Sequence, residues 1–126
     1  MISWYFLRYV KYADEIWREV VNLLQEARKN EIWLQYFPGS LTKIDKDVLE
    51  ILALGGKQSL YRVGKELYER GHSKSSAVYS LRRLGKLGLV KIYFRERSKK
   101  LYGLTALGFY VYIIVCDKNF KDIYCE

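Results

Sequence analysis

The sequence is poor in residues that bind metals or interrupt chains. It contains one proline, one histidine (His72) and two cysteines, Cys116 and Cys125, which do not form a C-x-x-C pair. A structural zinc site needs four ligands, so we expect no metal site, and no motif indicates a cofactor. The cysteines are interpreted as reduced thiols of a cytosolic protein, with a disulfide as the alternative for a hyperthermophilic source.

Long hydrophobic runs are also lacking. The closest candidate, residues 106–116, falls short of the roughly 18 apolar residues needed to cross a bilayer. The N-terminal MISWYFLRYVKYADE carries charges inside its apolar part and has no small-residue cleavage site, so it predicts no signal peptide. We therefore expect a cytoplasmic protein with no membrane partner. Its 126 residues, half of them hydrophobic, suffice for one domain with a buried core.

Acidic residues are scarce in one stretch of the chain. Residues 55–104 contain thirteen Lys and Arg but only three acids, Glu66, Glu69 and Glu96, which gives this stretch a net charge of +10. The remaining residues carry a net charge of −2, so the +8 of the whole chain comes from this stretch. Such segregation is the electrostatic footprint of a module that binds a polyanion.

The centre of the basic stretch, SKSSAVYSLRRLGKLG at residues 73–88, predicts an amphipathic helix capped by Ser73. One side of this helix is apolar or small, with Ala77, Val78, Leu81, Leu84 and Gly85. The opposite side has hydroxyls, an aromatic ring and three cations, and no carboxylate. Its members are Ser75, Ser76, Tyr79, Arg82, Arg83 and Lys86. A face of a single charge sign predicts contact with phosphates and base edges.

Helices are expected on both sides of this central helix. Residues 43–54, capped by Thr42 and ended by Gly55-Gly56, predict one helix. Residues 60–70, capped by Ser59, predict a second, with Leu60, Val63 and Leu67 buried. The turn at Gly71 and His72 leads into the central helix, and His72 is interpreted as a turn residue or a phosphate contact.

A hairpin and a final helix are expected after residue 89. Val90, Ile92 and Phe94 alternate with polar or aromatic residues as a half-buried strand requires. Residues 96–100 predict a charged tip, either a cationic finger or a solvated loop, and residues 101–104 the returning strand. Residues 105–115 contain strong strand formers, but their place after a completed hairpin favours a helix that begins at Thr105.

The N-terminal residues 1–37 predict a helical arm, separated from the core by Pro38-Gly39-Ser40. Its long apolar stripe favours a dimerisation arm that packs with the C-terminal segment 105–126, and the alternative is a helix that packs on its own domain. The candidate interface residues are Tyr9, Ile16, Trp17, Val20, Leu24, Phe109 and Ile113.

The order of these elements resembles a winged helix-turn-helix domain of the prokaryotic and archaeal transcription-regulator type. The residues that carry the resemblance are SSAVYSLRRLGKLGLV at 75–90 and LYGLTALG at 101–108. It implies a mainly α fold with a small β-hairpin (α+β) and a core at residues 42–104. It also implies a homodimer, with recognition helix 74–87 in the major groove and wing 90–104 on the backbone or minor groove.

We therefore expect a dimeric, sequence-specific regulator of transcription that binds double-stranded DNA. Ser75, Ser76 and Tyr79 would lie nearest the bases. The helix cations Arg82, Arg83 and Lys86 would contact phosphates or guanine edges, and the cations outside the helix would add affinity without sequence information. The candidate DNA-binding residues are Lys57, Arg62, Lys74, Ser75, Ser76, Tyr79, Arg82, Arg83, Lys86, Arg95, Arg97, Lys99 and Lys100.

There are four alternatives to this function. A winged helix can serve as a protein–protein assembly module, or it can bind DNA architecturally without sequence preference. An enzyme is not expected, because Glu66 and Glu69 stand beside Lys65 and Arg70 and are better explained as ion pairs than as an active site. The many aromatics can line an effector pocket, but no motif supports a small-molecule ligand.

Overall fold

The computed structural model describes residues 16–30, 41–96 and 99–115. The described chain is mainly helical, with five helices and one two-stranded antiparallel hairpin, which confirms the expected α+β class. The elements are α1 (Trp17–Asn30), α2 (Lys43–Gly55), α3 (Leu60–Glu69), α4 (Ser76–Lys86), β1 (Val90–Glu96), β2 (Lys99–Leu104) and α5 (Ala106–Val115). The expectations for Tyr9, Pro38, Arg97 and the two cysteines lie outside the described residues, as do the side chains of Leu24 and Arg95.

Helices α2 and α3 begin where the sequence predicts. The Thr42 hydroxyl accepts a hydrogen bond from the Asp45 N–H, and the Asp45 carboxylate accepts one from the Thr42 N–H, each at 3.1 Å. This reciprocal capping box satisfies two backbone donors of the first turn. Ser59 caps α3 by accepting from the Arg62 N–H at 3.3 Å. Gly71, at φ +91°, makes the expected turn between α3 and α4 in the left-handed region.

The start of α4 differs from the prediction. The helix begins at Ser76, and the Ser73 hydroxyl contacts Ser75 Oγ at 3.1 Å instead of capping the helix. The Ser76 and Ala77 N–H groups donate to the backbone carbonyls of Ser73 and Lys74, both at 3.2 Å. Because a tight turn already satisfies these two donors, Ser73 contributes its carbonyl and not its hydroxyl.

The hairpin is longer and less regular than predicted. The strands pair up to Glu96 and Lys99, so most of the expected tip belongs to the strands. The register shifts between Ile92 and Phe94, which leaves Tyr93 as an extra residue on β1 and interrupts the predicted alternation. Gln58, in the link between α2 and α3, forms an isolated antiparallel bridge with Tyr102 of β2, which the sequence did not predict.

Helix α5 is the centre of the core, and the favoured helical prediction for this segment is confirmed. It is apolar on nearly all sides and is covered by α1, α2 and β2. A Cβ built at Gly108 would overlap the Leu89 carbonyl oxygen, so only glycine permits this close approach of α5 to the end of the α4–β1 turn. Thr105 caps α5 by accepting from the Gly108 N–H at 3.0 Å.

Four of the residues expected at a dimer interface lie in the core of the single chain. Trp17 and Val20 of α1 and Phe109 and Ile113 of α5 are buried in one hydrophobic cluster, and these two helices pack on each other. Ile16 packs partly buried against the same cluster. For these residues the alternative that the sequence left open, a helix packed on its own domain, is the one observed.

Candidate nucleic-acid interface

Large apolar side chains reach the surface mainly on α3 and α4. The described exposed ones are Leu60, Tyr61, Tyr68, Val78 and Tyr79. The predicted burial of Leu60 is therefore wrong, since it is 38% exposed, and Val78, on the side of α4 predicted to be apolar or small, is exposed to the same extent. At 100° per residue Tyr61 and Tyr68 share one side of α3, and Glu66 points away from both. Exposed tyrosines of this kind are typical of binding surfaces, because they combine a flat apolar ring with a polar end.

Five of the predicted DNA-binding residues are exposed on α4 or just before its start. Lys74 and Ser75 precede the helix, and Tyr79, Arg82 and Lys86 project from successive turns; all five are exposed. Ser76 is half-buried, and its hydroxyl donates to the Ser73 carbonyl. Within the described residues, Arg82 and Lys86 form no ion pair. The Lys74 ammonium lies 5.3 Å from the centre of the Tyr68 ring, and this cation–π contact links the start of α4 to the end of α3.

Arg83 is not part of this outward set. Its Nη2 lies 2.6 Å from Asp45 Oδ1, and its Nε lies 3.0 Å from Asp45 Oδ2. Asp45 is fully buried in α2, and it also accepts from the Ser80 hydroxyl at 2.7 Å. The sequence analysis placed Arg83 on a face of α4 that has no carboxylate nearby. That placement is wrong, because Asp45 of α2 lies against Arg83. This arginine holds α4 against α2, so its guanidinium is already occupied by a carboxylate of its own chain.

The environment of Asp45 favours its charged form. Burial alone would raise its pKa, but hydrogen bonds from Arg83, Ser80 and the Thr42 backbone outweigh burial, and the pKa of Asp45 lies below its usual 3.8. The Asp45 carboxylate thus remains ionised at neutral pH and keeps the guanidinium of Arg83 in place. The sequence offered only one signal for this role, the position of Asp45 in a capping box.

A second acidic group on α2 occupies the cations near the α3–α4 turn. His72 Nε2 lies 2.7 Å from Asp47 Oδ2, so His72 is a turn residue tied to α2. Arg70 contacts Glu50 at 2.7 Å and Asp47 at 3.4 Å, not the glutamates of its own helix. Burial opposes ionisation of Asp47, but His72, Lys43 and Arg70 together hold its pKa below the usual value. The acids of α2 therefore neutralise cations on the α2 side of α3 and α4.

Two cations of the hairpin region share one aromatic ring. The ammonium groups of Lys57 and Lys91 lie 4.3 and 4.6 Å from the centre of the Tyr93 ring. The Tyr93 hydroxyl donates to the Leu104 carbonyl, which fixes the ring at the bulge. Burial, with a contribution from the Glu19 charge, raises the pKa of Tyr93 above 10.0. The bulge thus turns a strand residue into a platform for two lysines.

Two grooves flank this surface. The larger, with a volume of about 850 Å³, lies between the start of α3 and β2, and we call it the α3–β2 groove. Its polar lining includes Lys57, Arg62, Lys99 and Lys100. The smaller, about 410 Å³, lies between α4 and the hairpin and includes Arg82, Lys91 and Lys100. None of the described residues that line the two grooves carries a carboxylate.

The structure therefore brings together most of the predicted DNA-binding residues that it describes. We call the surface formed by the outward sides of α3 and α4, the two grooves and the hairpin lysines the cationic face. The sequence analysis missed Tyr61, Tyr68, Lys91 and Tyr102, which border the face or its grooves. The seven-residue spacing of Tyr61 and Tyr68 was a readable signal for two of them, because residues two helical turns apart share a side.

The described residues hold no group of three or more His, Cys, Asp or Glu that could bind a metal ion. Among the helices that the structure describes, none is long and apolar enough to cross a membrane. Comparison with known proteins gives no match: no family model, no curated protein and no solved structure matches the chain.

Proposed function

We propose that the protein is a winged-helix, sequence-specific regulator of transcription that binds double-stranded DNA through the cationic face. One observation carries the proposal: the acids of α2 pair with Arg70, His72 and Arg83 on one side of the chain, and the cations and exposed tyrosines of α3, α4 and the hairpin are left on another. DNA is a polyanion that also presents base edges, so it matches both components of this surface.

In this proposal α4 enters the major groove. Tyr79 and Arg82 are exposed on the outward side of α4, and arginine can bind the O6 and N7 atoms of guanine with two hydrogen bonds. Lys74 and Lys86, near the two ends of the helix, contact phosphates of the groove walls. The lysines of the hairpin region contact the neighbouring backbone, which adds affinity without sequence information.

The test begins with selection of duplexes from a random library, followed by fluorescence anisotropy with the selected duplex. Arg82→Ala should weaken specific binding by roughly 5- to 100-fold, which corresponds to the loss of one bidentate base contact. The control is Lys46→Ala, which removes an exposed charge of α2 and should leave affinity within about twofold. Absence of binding to any duplex would refute the proposal, and equal binding to selected and random duplexes would support a non-specific architectural role instead.

The homodimer stays part of the proposal on the strength of the resemblance alone. Trp17, Val20, Phe109 and Ile113 are already covered within the chain, so a dimer has to use other surfaces. Light scattering at micromolar concentration should give twice the chain mass of 15.0 kDa. If the free protein has the mass of one chain, and its complex with a palindromic duplex has the mass of one chain plus the duplex, the dimer is removed from the proposal.

A further inference from the structure

The α3–β2 groove has a composition that contact with a duplex backbone does not explain. Its cations come from three separate segments: Lys57 precedes α3, Arg62 lies in its first turn, and Lys99 and Lys100 open β2. Between these cations the groove is lined by the aromatic rings of Tyr61 and Tyr102 and by apolar side chains. Tyr61 is 72% exposed, so its ring is open to a ligand.

The floor of the groove is held in place by the bridge between Gln58 and Tyr102. The Gln58 N–H donates to the Tyr102 carbonyl at 2.9 Å, and the Tyr102 N–H donates to the Gln58 carbonyl at 2.8 Å. The Gln58 side chain also donates to the Ile51 carbonyl at 3.0 Å. Lys57 is further held over the Tyr93 ring. The groove is thus formed before any ligand arrives, which lowers the entropic cost of binding.

The chemistry of the lining selects among anionic ligands. A free phosphate would use the cations, but the groove, at about 850 Å³, is in the size range of pockets for whole organic ligands. An intact duplex would also use the cations, but its bases are stacked on one another and cannot stack on a tyrosine ring. A single strand offers both phosphates and unstacked bases, and proteins bind it with cations and aromatic platforms together.

We propose that the α3–β2 groove binds single-stranded DNA, with a base stacked on Tyr61 and the adjoining phosphates held by Arg62 and Lys100. Lys100 lines both grooves, so a strand in the α3–β2 groove continues toward the α4 surface. This inference rests on the proposed function: while α4 contacts a duplex, the groove binds an unpaired segment of DNA next to that duplex. The protein then favours a duplex that adjoins unpaired DNA over a fully paired one.

The experiment compares three labelled probes by fluorescence anisotropy: a blunt duplex, the same duplex with a five-nucleotide single-stranded extension, and that extension made of abasic nucleotides. Extensions of both polarities are tested. In at least one polarity the base-bearing extension should raise affinity roughly 5- to 100-fold over the blunt duplex, the effect of stacking one base. The abasic extension keeps the phosphates and should give a much smaller gain.

Variants assign this gain to the groove. Tyr61→Ala should abolish the gain, measured as the ratio of the affinities of this variant for the extended and the blunt duplex, and Tyr61→Phe should retain the gain. The control is Tyr68→Ala, which removes an exposed ring on the same side of α3 that does not line the groove, and should also retain it. Circular dichroism checks that the variants are folded.

Three results would overturn the inference: no gain from any extension, an equal gain from the abasic extension, or a gain that survives Tyr61→Ala. Failure of the proposed function has a different signature. If no duplex binds but a free ten-nucleotide strand binds and loses affinity with Tyr61→Ala, the duplex proposal is wrong and the groove assignment stands.

Discussion

Asp45 connects two helices that are far apart in sequence. It closes the capping box of α2 with its backbone and one carboxylate oxygen, and it accepts from Ser80 and Arg83 of α4 across 35 and 38 residues. A buried carboxylate is costly unless its hydrogen-bonding capacity is filled, and here three side-chain or backbone groups fill it. The orientation of α4, and with it the direction of Tyr79 and Arg82, therefore depends on one acid of α2.

The two neighbouring arginines of α4 should separate stability from binding. Arg83→Ala leaves Asp45 buried without its cation, and because the Arg83 side chain is 44% exposed, we expect a cost of about 2–4 kcal/mol, somewhat less than for a fully buried pair. Arg82→Ala should change the free energy of unfolding by less than about 0.5 kcal/mol. Urea unfolding followed by circular dichroism measures both.

A double variant provides the control for this comparison. Asparagine at position 45 can still accept from Ser80 and Thr42, so Asp45→Asn should cost less in the Arg83→Ala background than in the wild type. Strictly additive costs would contradict the pairing of Asp45 with Arg83. An equal loss of stability in Arg82→Ala and Arg83→Ala would contradict the assignment of different roles to the two residues.

Acid should destabilise the protein through the same carboxylate. The pKa of Asp45 is lowered in the folded state, so its stabilising contribution is complete above the unfolded value near 3.8 and is lost as the pH falls through the lower folded value. Asp47 contributes in the same direction. We expect the free energy of unfolding to decrease below about pH 4, and to decrease less steeply in Asp45→Asn. Urea titrations over a pH series test this, and parallel curves for the two proteins would contradict it.

Gly85 of α4 and Gly108 of α5 differ in how much space surrounds them, and this difference decides which of them can be replaced by alanine. A Cβ at Gly108 would overlap the Leu89 carbonyl, whereas a Cβ at Gly85 would meet only the Val90 carbonyl at 3.8 Å, an ordinary contact. We expect Gly85→Ala to stabilise the protein by about 0.5–1 kcal/mol through helix propensity. Gly108→Ala should destabilise the protein by about 1–3 kcal/mol, because the added Cβ overlaps a backbone atom that cannot move aside easily.

Thermal unfolding of both variants checks this pair of predictions, and each is the control for the other because the chemical change is the same. Stabilisation by Gly108→Ala would show that α5 does not approach Leu89 so closely. Destabilisation by Gly85→Ala would show that α4 has less space beside the Val90 carbonyl than the structure gives it.

Elements that depend on local signals could be predicted from the sequence. Thr42 and Ser59 cap their helices, and Gly71 makes its turn, because each of these interactions spans only a few residues. The longest reach of any of them is three residues. The Tyr93 bulge and the Gln58–Tyr102 bridge could not be predicted, because they depend on the register between segments that meet only in the folded chain.

The candidate site also contains residues whose positions follow from local sequence signals and residues whose positions depend on contacts between distant segments. The outward positions of Tyr79, Arg82 and Lys86 follow from helical periodicity, which places them opposite the buried Ala77 and Leu84. Arg83 has the same periodicity as its neighbours, and only the approach of α2 distinguishes it. No pattern within α4 indicates a partner 38 residues away, so the sequence alone assigned Arg83 to the wrong side of the helix.

At the scale of the whole molecule, positive charge is segregated and only partly compensated. Residues 55–104 have a net charge of +10, and among the described residues the acids of α2 compensate only two of the cations counted in it, Arg70 and Arg83. Like charges on one surface repel one another and oppose the compact state. The same repulsion disappears when a polyanion neutralises the surface, so salt should act on folding and on DNA binding with opposite signs.

We therefore expect added salt to stabilise the free protein slightly and to weaken its complex with DNA strongly. If five phosphates are contacted, raising the salt from about 50 to 200 mM should lower affinity by roughly 500-fold, since the logarithmic slope is about −0.9 per phosphate. Over the same range the melting temperature of the free protein should rise or stay constant, because screening reduces repulsion among the unpaired cations. Differential scanning fluorimetry and anisotropy in matched buffers measure the two effects. A melting temperature that falls with added salt would mean that the cations of the face stabilise the fold through ion pairs, and an affinity that does not change with salt would mean that they do not contact phosphates.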